Sequence, residues 1–142
     1  MLRGMARGIA LAALMALSAC GDDTVTPTTP SIATVTETYS GTLIPASAGT
    51  FSFTTLVGGS ITATLTAVGP DNTKTIGFSL GTFVTATNTC TVIMDNAAAT
   101  QTFAFNATAS SIGVYCVRIY DNGSVLADQV PYTFTITVSH PQ

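Results

Sequence analysis

Hydrophobic and polar residues alternate with a period of two over most of the chain beyond residue 36, a pattern that sends successive side chains to opposite faces of an extended strand. In 60–68, Ile61, Ala63, Leu65 and Ala67 are expected on one face and Thr62, Thr64 and Thr66 on the other. In 132–138, Tyr132, Phe134, Ile136 and Val138 oppose Thr133, Thr135 and Thr137. In 113–120, Tyr115, Val117 and Ile119 oppose Val114, Cys116, Arg118 and Tyr120. Further strands are predicted over 36–44, over 50–57 with Phe51 and Phe53 on one face, and through Ile76, Phe78 and Leu80, with Gly81 marking a bulge. Two more, 90–94 and 102–107, are placed around a turn at Asp95-Asn96-Ala97.

The punctuation fits this reading. Turns are expected at 45–49, at Gly58-Gly59 and at Gly69-Pro70-Asp71-Asn72, with a hairpin-like closure at Asp121-Asn122-Gly123. No stretch has a sustained helical period. Roughly seven to nine short strands in about 105 residues predict an all-β domain, a single antiparallel sandwich that is jelly-roll-like or immunoglobulin-like.

The first residues follow a different pattern. Arg3 and Arg7 precede the apolar run 9–19, which is shorter than the roughly 20 residues of a bilayer-spanning helix and reads as a secretory signal. The run ends in Leu17-Ser18-Ala19-Cys20-Gly21, which resembles the bacterial lipoprotein lipobox. That resemblance implies cleavage before Cys20 and acylation of its thiol and new amino group; the alternative is ordinary cleavage after Ala19 with a free Cys20. Two or three acyl chains give stable membrane attachment where one is marginal. Gly21 next to the cysteine, with Asp22 one place later, leans by the same analogy to the outer membrane of a Gram-negative envelope.

A Thr- and Pro-rich segment follows and reads as an extended spacer, reaching about 40 Å if polyproline-like. The expected organisation is a removed signal peptide over 1–19, the lipidated cysteine and linker over 20–35, and the β-sandwich over 36–142.

Composition narrows the function. Only 8% of the 142 residues are charged and 46% are hydrophobic, which excludes a disordered acidic tail. Without Arg3 and Arg7, only Lys74 and Arg118 stand against seven acids, a net charge of −5. No basic cluster is present to hold phosphates, so no nucleic-acid partner is expected.

The strands and glycines carry a second resemblance. Ser40-Gly41-Thr42-Leu43 precedes Phe51-x-Phe53, then Gly58-Gly59 and Ile61-x-Ala63-x-Leu65, then Gly113-x-Tyr115-x-Val117-x-Ile119-Tyr120-Asp121, and finally Tyr132-x-Phe134-x-Ile136-x-Val138. This succession, spanning 36–138, is similar to the bacterial pre-peptidase C-terminal domain. The resemblance implies a small non-catalytic sandwich serving as an accessory or binding module of exported proteins. The chain departs from it in its lipid anchor, in Cys90 and Cys116, and in having Ala48-Gly49-Thr50 where the family often has Gly-Asp.

Few residue types suited to catalysis remain. With Cys20 acylated, Cys90 and Cys116 are free to form a disulfide in an oxidising compartment, the alternative being two buried thiols. Asp71, Asp95 and Asp121 each stand beside an Asn and are candidate calcium ligands if their loops converge, with Asp128 as a further carboxylate; turn chemistry explains them without a metal. No cofactor is otherwise expected. His140, the one histidine, is placed on a frayed tail, too mobile for a Ser-His-Asp arrangement. The 27 threonines suit outward strand faces and offer a hydroxyl surface to a polysaccharide or repetitive protein, for which Tyr39, Tyr120 and Phe83 are the candidate aromatic platforms.

The function expected is non-catalytic binding at the cell envelope, to a protein partner first, with glycan binding or a structural role as the alternatives. An exposed aromatic groove would favour glycan, and a bare edge strand or apolar patch would favour protein.

Overall fold

The structure, a computed structural model, describes residues 31–142. Eight strands and one short helix follow in order: β1 (Thr34–Leu43), β2 (Ala48–Thr55), β3 (Gly59–Gly69), β4 (Ile76–Val84), β5 (Thr89–Ala99), β6 (Ala104–Ala109), β7 (Gly113–Tyr120), α1 (Ser124–Asp128) and β8 (Tyr132–Pro141). They form two four-stranded sheets, β1-β8-β3-β6 and β2-β7-β4-β5, here sheet A and sheet B.

The pairing is nested. β1 pairs β8, β2 pairs β7, β3 pairs β6 and β4 pairs β5, all antiparallel, while β3–β8 and β4–β7 complete the sheets. The chain is thus one long hairpin, closed at β4–β5 and rolled over itself, which is jelly-roll order. Between the two forms that the strand pattern allowed, the register selects the jelly roll.

Alternation explains most of the core. Ile61, Ala63, Leu65, Ile136 and Val138 from sheet A face Phe53, Ile76, Phe78, Val117 and Ile119 from sheet B, all fully buried or nearly so. β3 breaks the expected pattern once. The β3–β8 register shifts between Leu65 and Ala67, so Ala67 turns outward and Val68 enters the core instead; the extra residue of a bulge reverses every later side chain. The bulge expected at Gly81 is present as a shift between Leu80 and Gly81.

Three other expectations are corrected. Asp95-Asn96-Ala97 is no turn but the interior of β5, which runs on to Ala99; Asp95 faces Ser79 and Asn96 faces Phe78, so pairing with β4 overrides local turn preference. Asp121-Asn122-Gly123 leads into α1 rather than closing a hairpin. The Asp121 carboxylate accepts hydrogen bonds from the N–H groups of Ala46 (2.9 Å), Gly123 (2.8 Å), Val125 (3.0 Å) and Leu126 (3.1 Å), satisfying helix-start donors, and α1 buries Val125. Finally, β8 continues three residues past Val138 and fully buries His140, so the histidine lies in the core layer and not on a frayed tail. At the other terminus, β1 opens at Thr34, two residues before the expected start of the domain.

The two outer faces differ. Sheet A presents rows of small polar side chains in register: Thr36, Ser139, Thr62 and Asn106 in one row, Thr38, Thr137 and Thr64 in the next, and Ser40 beside Thr135. Sheet B covers itself. The central strand β4 places Gly77, Ser79 and Gly81 outward, all buried. The Tyr120 ring lies where a Gly77 side chain would stand. Ser79 donates to Asp95 (2.7 Å), and the Cys90–Cys116 disulfide crosses at Gly81.

Candidate functional site

One flank of the sandwich is bounded by β1 and β2, the edge strands of sheets A and B. β1 pairs β8 over ten consecutive residues without a register shift, and β2 pairs β7 over eight. The opposite flank is blunted: β6 has six residues, and β5 carries irregularities opposite Gly77 and between Met94 and Val92. Bulges and short edges discourage strand addition, whereas a long regular edge invites it.

Beside β1, aromatic rings fill the gap between the edges. Tyr39 stacks on Phe51 at 5.0 Å between centroids, and Phe51 meets Phe134 edge-on at 6.0 Å. Gly41 and Gly49 leave these rings uncovered, since a side chain at Gly41 would stand 2.9 Å from Phe134 and one at Gly49 3.5 Å from Phe51. The result is a half-open groove of about 330 Å³, floored by Phe51 and Phe134 and walled by Leu43 and Ile44. It lies at the lower end of the size range of ligand-binding pockets. A second cavity, between Ile61, Leu80, Met94 and Tyr115, measures about 100 Å³.

Below the groove a polar chain ties β1 to β8. The Tyr39 hydroxyl donates to one oxygen of Glu37, and the other accepts from His140 Nε2 at 3.1 Å. His140 packs on Phe53 at 5.1 Å, and its Nδ1 meets the Gln142 side-chain amide at 3.3 Å. Burial first, then the hydrogen bond and charge of Glu37, push the Tyr39 phenol well above its usual range. Among the described residues His140 bonds to Glu37, Gln142 and the Pro141 carbonyl and to no serine or cysteine.

The residues singled out from sequence are placed as follows. Cys90 and Cys116 are disulfide-bonded. Asp71, Asp95 and Asp121 are not brought together as calcium ligands, and among the described residues no three acidic, His or Cys side chains are grouped to hold a metal. Each has a local task instead: Asp71 accepts from the Thr73 N–H and hydroxyl, Asp95 from Ser79 and Tyr120, and Asp121 from four backbone donors. Asp128 pairs with Lys74 at 2.9 Å and accepts from Tyr132.

Of the candidate platforms, Tyr39 stacks on Phe51 beside the groove without lining it. Tyr120 is spent on Gly77, with Arg118 over its ring at 4.9 Å, and Phe83 is half-buried. Cys20 and Gly21 lie outside the described residues.

Two features were missed from sequence. Gly77-Phe78-Ser79-Leu80-Gly81 has the spacing of a hydrolase nucleophile elbow, but it runs straight through β4 with Ser79 fully buried and bonded to Asp95, so the strand–turn–helix context is absent. The Gly41/Gly49 groove had a faint signal, a glycine on each edge strand two residues from an aromatic, but no spacing says that the two strands flank one another. No protein-family model matches the chain, and no curated protein matches it in sequence.

Proposed function

We propose that the protein is an exported bacterial lipoprotein, anchored through Cys20, whose sandwich is a non-catalytic module that binds an extended segment of an envelope protein along β1. The observation that carries this reading is the uninterrupted edge of β1 with the groove over Phe51 and Phe134 beside it. A strand added to such an edge gains main-chain hydrogen bonds, and alternate side chains fall into neighbouring pockets. The groove takes an apolar side chain, because its floor is aromatic. Glu37 does not oppose this, since its carboxylate is engaged by Tyr39 and His140. An accessory role of this kind is also what the resemblance to the pre-peptidase C-terminal domain implies, and Gly21 after Cys20 favours the outer membrane.

Photo-crosslinking in intact cells tests it. A benzophenone amino acid at Thr42, on β1 beside the groove, is expected to trap one discrete protein, and Gly49→Val, which fills the groove, is expected to abolish the adduct. No adduct from Thr42, or an equal one from Asn106 on β6, sinks the proposal.

The hydroxyl rows of sheet A favour one second reading, a neutral envelope polysaccharide lying across Thr38, Thr137 and Thr64. Its mark would be retention on insoluble envelope glycan that Thr137→Lys removes and Gly49→Val leaves intact.

A further inference from the structure

The two ends of the sandwich differ in polarity, and the difference follows the direction of the chain. One end gathers the start of β1, the β2–β3, β4–β5 and β6–β7 loops and the end of β8. Gln142 donates its N–H to Ala33 O (2.9 Å) and its side-chain amide to Thr54 O (2.9 Å), and Thr55 donates to Ser111 O (3.3 Å). The segments 31–33, 56–58, 85–88 and 110–112, which form this end together with His140, Pro141 and Gln142, carry no Asp, Glu, Lys or Arg side chain. They do include Ile32 (55% exposed), Leu56 (52%), Val57 (37%) and Ile112 (70%), with Val35 and Val84 exposed beside them.

Asp71, Lys74 and Asp121 lie in the loops of the opposite end, and Asp128 closes α1 there. The exposed Ile44, Leu126 and Val130 there share their surface with these charges.

We infer that the uncharged end rests in the lipid surface, with Leu56, Val57 and Ile112 entering the boundary between headgroups and acyl chains. This rests on the lipid-anchor reading. Ile32 stands twelve positions after Cys20, so an acyl anchor delivers this end to the bilayer before any other part of the domain. Apolar side chains on separate loops suit a fluid lipid phase, which needs no complementary shape; uncharged loops suit zwitterionic lipid, since anionic lipid is recognised by Lys and Arg. Docked this way, the domain holds the groove beside Leu43 and Ile44, near the charged end, away from the membrane.

The test uses the full mature chain with Cys20 acylated, in phosphatidylcholine vesicles carrying a nitroxide-labelled lipid. An environment-sensitive fluorophore is attached at Val57→Cys or, at the charged end, at Ala127→Cys. The probe at 57 is expected to emit at shorter wavelength and to be quenched several-fold more than the probe at 127, and Leu56→Glu with Ile112→Glu is expected to erase the difference. Equal quenching at both positions, or none at either, overturns the docking while leaving the anchor intact. Acylation is scored separately, by incorporation of a clickable fatty acid that Cys20→Ser abolishes; failure to incorporate it overturns the anchor and the docking with it.

Discussion

The Cα atoms of Cys90 and Cys116 lie 5.9 Å apart although their strands are not neighbours, since β4 runs between β5 and β7. Two strand spacings would separate them by roughly 9.5 Å in a flat sheet. The sheet folds at Gly81, which pairs with Cys116 on one side and Val92 on the other. A side chain there would meet Thr91 O at 2.1 Å, so the disulfide requires the glycine beneath it.

Gly81→Ala is therefore expected to destabilise the fold by about 3 kcal/mol, the upper range for forced overpacking, and to hinder the disulfide. In a Cys20→Ser background, thiol titration of the unfolded variant should detect reactive cysteines that the parent lacks.

Removing the disulfide alone, by Cys90→Ser with Cys116→Ser, releases a loop of 26 residues. The chain-entropy relation puts the loss at about 3.5 kcal/mol, which lowers Tm by on the order of 10 °C for a domain of this size. Calorimetry with and without reductant checks it.

Glu37→Ala leaves the fully buried His140 Nε2 without its partner, a loss of about 1 to 3 kcal/mol. Adding His140→Phe, which keeps a ring against Phe53, should recover part of it. Denaturant midpoints of the two single variants and the double variant would show the coupling, and strictly additive losses would contradict it.

Asp121 is one of three carboxylates, with Asp71 and Asp128, held below the usual carboxylate range. Burial alone would raise its pKa, but the N–H groups of Ala46, Gly123, Val125 and Leu126 outweigh burial and hold it below the usual carboxylate range. Such a group adds stability that is complete above its unfolded value, about 3.9, and is lost as pH falls through the lower folded value. Asp121→Asn should cost about 1 kcal/mol at neutral pH and make the loss of stability below about pH 4 shallower, the shares of Asp71 and Asp128 remaining. Urea titrations across that range measure both.

Thr102 holds a left-handed conformation, φ 75°, in the β5–β6 turn, where its N–H donates to Leu65 O at 2.7 Å. A β-branched residue is strained there. Thr102→Gly keeps the bond, relieves the strain and should stabilise by about 1 kcal/mol, seen as a higher Tm.

Alternation alone marked Ile61, Ala63, Leu65, Phe134, Ile136 and Val138 as core and the intervening threonines as surface, because side-chain direction in a strand depends only on position parity. Cysteine parity pointed to the Cys90–Cys116 bond. Parity failed where pairing intervened. Ala67 and Val68 exchanged faces because β8 imposes a bulge on β3. Asp95-Asn96 stayed extended because β4 supplies partners for their backbone, and β8 ran past Val138 because β1 pairs it as far as Pro141, which keeps His140 on the inward parity of Val138, where Glu37, 103 residues away, meets its ring.

The candidate site depends most on tertiary structure. Gly41, Gly49, Phe51 and Phe134 come from three strands in two sheets, and only the rolling of the hairpin sets β1 beside β2. Local pattern thus determined which residues are strand, core and surface, each a property of a few neighbouring positions. Strand order and the edges left open were decided by contacts between residues far apart in the chain, which periodicity cannot encode.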